Sequence, residues 1–141
     1  NETVEFVNQD KELHSVFSTT SGATFEKPAS KKGVSGSHTF IKARPVRVQC
    51  DRHGWMRTDL LVLNHDYYGV ADARGDYRLP PLPGGSYTLV AWEPNGATTK
   101  REVKGCQGSL RLEPLELTAA REPKLLRKDG SEYPPDYRNP Y

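Results

Sequence analysis

The chain has 141 residues, with 20 Lys and Arg against 18 Asp and Glu, 35% hydrophobic residues, 12 Gly, 11 Pro, 2 Cys and 1 Met. A net charge of +2 is too weak to argue for nucleic acid or an anionic membrane surface. No apolar run approaches the ~20 residues that span a bilayer; Leu60–Leu63, as long as any, has only four, and the low apolar share limits the core to a thin one.

Helical periodicity is nearly absent, and short runs of period two dominate. Val4 and Phe6 alternate with Glu5 and Val7 in a strand reaching Asn8, and Ser15-Val16-Phe17-Ser18 opens another. Val46 and Val48 alternate with Arg47 and Gln49 and end at Cys50; Leu61 and Leu63 continue the pattern beyond Met56. Asp72-Ala73-Arg74-Gly75-Asp76 reads as a turn with Gly75 at positive φ, and Pro80-Pro81-Leu82-Pro83-Gly84-Gly85 as a non-strand connection. Tyr87, Leu89 and Ala91 then alternate with Thr88, Val90 and Trp92, and Leu110 and Leu112 with Arg111 and Glu113. Such runs, broken by turn signals every ~10 residues, predict an all-β sandwich or barrel.

Three zones follow: 1–64 with the ionisable cluster, 65–118 with strands and tight turns, and 119–141 as a tail. The tail carries Tyr133, Tyr137 and Tyr141 among Pro residues and cannot form a core of its own. It is expected either as an extended segment lying on another surface, with its tyrosines available for partner docking, or as a disordered end.

The chemistry concentrates in Cys50-Asp51-Arg52-His53-Gly54-Trp55-Met56, where Cys, His and Met follow C-x2-H-x2-M spacing directly after a strand. A thiolate and imidazoles bind copper strongly, and a thioether is a weak axial ligand; a His2Cys set with a long axial Met is a blue-copper site. A second imidazole is required, and His14, His38 and His65 are the candidates. His14, between two strands, is the expected one. His38 lies in a polar Ser-Gly-Ser-His-Thr stretch and is expected at the surface; His65 is expected to be structural, hydrogen-bonded to a neighbour.

Val4-Glu5-Phe6-Val7-Asn8-Gln9-Asp10, His14-Ser15-Val16-Phe17-Ser18 and Cys50-x2-His53-x2-Met56 together resemble the cupredoxins, and the short loop is most similar to amicyanin. The stretch from Leu61 to Asp72, with Gly75-Asp76-Tyr77 and Leu82 to Trp92, resembles a carboxypeptidase-regulatory-like (transthyretin-like) β-sandwich. The resemblances cover about 3–118 and imply an N-terminally short cupredoxin-like Greek-key sandwich over 1–64, a second small sandwich over 65–118, and the extended tail. They imply one type 1 copper held by His14, Cys50 and His53, with Met56 axial and electrons passing through His53. Ser15 stands where cupredoxins often have an Asn that ties the ligand loops together, and Gly54 where relatives often have Pro. One or two strands normally precede the Val-x-Phe-x-Asn segment, so a leading piece is expected to be missing, unresolved or supplied by a partner.

Simpler readings compete. Cys50 and Cys106 could form a disulfide, which explains neither His53 nor Met56; Met56 could fill the core; and Trp55 either docks a redox partner or packs into the sandwich. No Ser/His/Asp set, phosphate loop or paired carboxylates stands in a recognisable frame, so no enzyme is expected. The expectation is a periplasmic or extracytoplasmic electron carrier with a redox partner protein, possible as a subunit of a larger membrane-associated complex. The alternatives are a non-redox accessory β-module that stabilises an assembly through its second sandwich and tail, and a copper storage or delivery protein.

Overall fold

The computed structural model describes residues 2–105, 110–118 and 121–134. No helix occurs among them, and so none long and apolar enough to cross a membrane. The chain divides into two compact units, one of residues 1–64 with 124–141 and the other of 65–123.

In the first unit, β1 (Glu2–Asn8) pairs antiparallel with β4 (Gly33–Phe40), with a bulge between Phe6 and Val7. A four-stranded antiparallel sheet runs β3–β2–β5–β6, formed by β3 (Phe25–Glu26), β2 (Val16–Ser18), β5 (Arg44–Cys50) and β6 (Arg57–Val62). The two sheets form a sandwich-like core. Phe40 on β4 is buried together with Val46 and Val48 on β5, and Val4, Phe6, Val16, Phe25, Leu60 and Val62 pack against them. Phe6 stacks on Phe25 at 5.3 Å between ring centroids, joining the sheets. Few side chains are fully enclosed; Phe17 and Val46, each 1% exposed, are the largest, as the modest apolar content requires.

Two particulars differ from the sequence reading. The register Val46↔Leu60 and Arg44↔Val62 puts Leu60 and Val62, not Leu61 and Leu63, on the alternation that packs on the core, and Leu61 is exposed. A one-residue change of phase reverses every side chain of a strand, and here the partner strand sets the phase. The Gly/Ser-rich stretch around His38 is strand β4, and His38 is half-buried rather than at the surface. Its ring stacks on Phe25 at 4.4 Å and meets Phe40 edge-on at 4.8 Å. Pairing with β1 outweighs the poor intrinsic strand tendency of Gly and Ser.

In the second unit, β7 (Gly85–Ala91) and β8 (Thr99–Gly105) form a two-stranded antiparallel sheet. Tyr87, Leu89 and Ala91 share the half-buried face, as their alternation predicts. β8 carries the charged sequence TKREVKG, which conceals its strand character. Where a second sandwich was expected, this pair is the whole sheet structure among the described residues of 65–118. Leu110–Leu112 is not a strand. The chain after it is held beside β8 by side chains instead: Arg101 donates to the carbonyls of Glu113 (2.6 Å) and Pro114 (2.9 Å), and Thr99 to that of Glu116 (2.7 Å). The 72–76 turn forms as expected, with Gly75 at φ 88° and the Asp72 carboxylate accepting from the amides of Arg74 and Asp76.

Candidate metal centre

Three strands converge on Cys50. It ends β5, opposite Val16 of β2 in the ladder Val16↔Cys50, Phe17↔Gln49. That ladder continues one step as Asp51 N–H donates to the Ser15 carbonyl at 2.9 Å. Across an antiparallel pair, diagonal neighbours share a face and lie within reach of long side chains, so His14 comes to the same side as Cys50. The β5–β6 hairpin supplies the third group. Its neck closes with Cys50 N–H donating to the Met56 carbonyl at 3.1 Å, and Met56 N–H to the His53 carbonyl at 2.9 Å. This tight loop turns His53 back over Cys50.

The result is a compact group of donor atoms. Cys50 Sγ lies 3.8 Å from His14 Nδ1 and 3.5 Å from His53 Nδ1, and the two imidazole nitrogens are 3.0 Å apart. A triangle with these sides has a circumscribed radius of about 2.0 Å, close to the ~2.0–2.1 Å of zinc–nitrogen bonds and inside the ~2.3 Å of zinc–sulfur bonds. The three side chains could therefore hold one metal ion. Cys50 is buried with a free thiol, and His14 is 9% exposed. Cys106, its proposed disulfide partner, lies outside the described residues.

Asp10 is the member of this site that sequence reasoning missed. Its carboxylate accepts from His14 Nε2 at 2.9 and 3.0 Å. With the proton on Nε2, the Nδ1 lone pair faces Cys50 and His53, the state a metal ligand needs. The loop that presents both residues is tightly tied. Asn8 is buried, donates to the carbonyls of Glu12 (2.7 Å) and Ser30 (2.9 Å), and accepts from Asp10 N–H (3.0 Å). His14 exchanges both backbone hydrogen bonds with Ser30. The available signal was the Asn8-x-Asp10 turn spacing and the four-residue separation of Asp10 from His14.

Electrostatics follow the geometry. The His14 hydrogen bond lowers the Asp10 carboxyl below 3.8. Burial lowers the His53 imidazole below 6.5, with the nearby charges of His14 and Arg52 adding to the effect, which favours the neutral ring.

Ser15 does not link the ligand loops through its hydroxyl, which donates to the Lys27 carbonyl at 3.2 Å. The backbone bond from Asp51 to Ser15 makes that link instead. Met56 is 38% exposed and stands across the hairpin neck from Cys50. Trp55 is half-buried, its ring 5.2 Å from that of His53. His65 is exposed, and its Nδ1 accepts from Tyr67 N–H at 3.2 Å; neither it nor His38 joins the group. Tyr133 packs here too, its hydroxyl donating to the Cys50 carbonyl at 2.7 Å. Burial and the charges of Asp51 and Cys50 raise its phenol to about 12, so it keeps its proton and donates. Tyr137 and Tyr141 lie outside the described residues.

In comparisons with protein-family models, curated proteins and solved structures, none matches this chain.

Proposed function

We propose that the chain is a type 1 copper protein of cupredoxin-like Greek-key fold that carries single electrons, outside the cytoplasm, between partner proteins. The observation that carries this reading is the convergence of one buried thiol and two imidazole nitrogens within 3.0–3.8 Å of one another. A set of one sulfur and two imidazoles favours copper or zinc over hard cations, and with a weak axial thioether it is the blue-copper set. Met56 would supply the thioether. It faces Cys50 across the hairpin neck, and directly opposed residues of an antiparallel pair project to one side.

Copper there would supply a one-electron Cu(II)/Cu(I) couple. The chain's own residues do the rest. Asp10 orients His14 and fixes its proton on Nε2. The hairpin neck and the Asp51–Ser15 bond hold Cys50 and His53 against it. Residues held by such backbone hydrogen bonds need little rearrangement when the charge changes. His53 is half-buried and Trp55 lies beside it, a suitable exit for an electron.

The test is the absorption of protein loaded with Cu(II). An intense thiolate-to-copper band in the visible, absent in Cys50→Ser, is expected. Wild-type protein that takes up copper without that band would refute the reading.

A further inference from the structure

Residues 124–134 form a strap over the Cys50 hairpin. The strap is a small turn of its own: Leu126 bridges Glu132, Arg127 N–H donates to the Ser131 carbonyl at 2.9 Å, and Gly130 takes φ 83° with its N–H on the Arg127 carbonyl at 3.0 Å. Among the described residues, the strap is attached to the hairpin at Gln49, Cys50, Asp51 and Gly54. Gln49 donates its side-chain amide to the Leu126 carbonyl at 3.2 Å. The buried Asp51 carboxylate accepts from Lys128 N–H at 3.1 Å and from the Arg127 guanidinium at 3.5 Å. Lys128 also pairs with Glu26 on β3. Tyr133 completes the set with its hydroxyl on the Cys50 carbonyl and its ring flat on Gly54. A β-carbon at Gly54 would lie 2.7 Å from Tyr133 Cγ and 3.0 Å from both Cδ atoms, so the ring occupies space that only a glycine leaves.

From these contacts we infer that Tyr133 is a positioning residue for the Cys50 ligand, and that the strap is the lock that keeps the thiol in register with His14 and His53. The inference rests on the metal reading for its purpose, but the contacts are independent of any ion. These hydrogen bonds to the hairpin span 76–83 positions. The strap is therefore a tertiary restraint, and the hairpin alone does not contain it. A carbonyl that loses its donor frees the backbone of the ligand itself, so the effect passes to the sulfur through one residue.

The test uses the full chain in a Cys106→Ser background, where Cys50 is the single thiol. Tyr133→Phe keeps the ring on Gly54 and removes the hydrogen bond; Tyr133→Ala removes both. In metal-free protein, Cys50 should react with an uncharged aromatic disulfide about five-fold faster in Tyr133→Phe, from the usual strength of one hydrogen bond against local opening, and faster still in Tyr133→Ala. In copper-loaded protein, Tyr133→Phe should shift or weaken the thiolate absorption while the thermal midpoint falls by only about 2–8 °C. Thiol rates within two-fold of the parent overturn the lock. Faster rates with an unchanged thiolate band overturn the positioning role and leave only a shield. If the parent takes up no metal, the metal reading fails by itself, and the thiol rates still decide whether the strap restrains Cys50.

Discussion

Replacing Gly54 by Ala puts a methyl group where the Tyr133 ring lies. The new carbon would sit 2.7 Å from Cγ and 3.0 Å from Cδ1 and Cδ2, inside van der Waals contact with a rigid ring. Gly54 does not have positive φ, so the backbone accepts alanine and the clash alone sets the cost. Overpacking of this kind costs about 1–3 kcal/mol. If the ring moves away to relieve it, the 2.7 Å hydrogen bond from Tyr133 to Cys50 is lost instead, about 1 kcal/mol. Either way Gly54→Ala should destabilise metal-free protein by about 1–3 kcal/mol in denaturant unfolding. In a Tyr133→Ala background the same substitution should cost under about 0.5 kcal/mol, because nothing remains to collide with. The four-variant cycle gives the coupling directly. Additive costs would refute the placement of the ring, and with it the explanation of why glycine stands between His53 and Met56.

Asp10→Asn keeps the shape of the side chain but removes the charge that accepts from His14 Nε2; metal affinity should fall about 10–100-fold, read by competition with a chelator, and an unchanged affinity would remove Asp10 from the site. Burial holds both His38 and His53 below 6.5, so the unfolded chain binds more protons as pH falls through that value. Metal-free protein should therefore lose stability between about pH 7 and pH 5, and His38→Phe should reduce the slope; stability rising with acid would reverse the sign and contradict the burial of these rings. Phe17, 1% exposed, should cost about 3–5 kcal/mol when changed to Ala, measured by denaturant unfolding, a large share of the ~5–15 kcal/mol of a typical domain.

The sequence carried the His14, Cys50 and His53 group better than the frame around it. Cys50 and His53 were legible because a strand, a short loop and the ligand spacing are all local. His14 was legible because its strand-end place is also local, though its approach to Cys50 depends on the β2–β5 pairing. Asp10, Asp51 and Tyr133 were harder to see. Their roles come from contacts that need the fold, and Tyr133 reaches Cys50 across 83 residues. Strand β4 was hidden by its Gly and Ser content, and β8 by its charges. In both cases pairing with a neighbour, rather than intrinsic preference, makes the strand. Leu110 and Leu112 show the reverse error: alternation without a partner strand does not make a sheet.

X-ray absorption at the copper edge of the loaded protein tests the central claim most directly. The account predicts one copper with a single sulfur neighbour at about 2.2–2.3 Å and two nitrogen neighbours at about 2.0 Å, the sulfur shell vanishing in Cys50→Ser. A first shell of nitrogen and oxygen alone in the wild-type protein would contradict it.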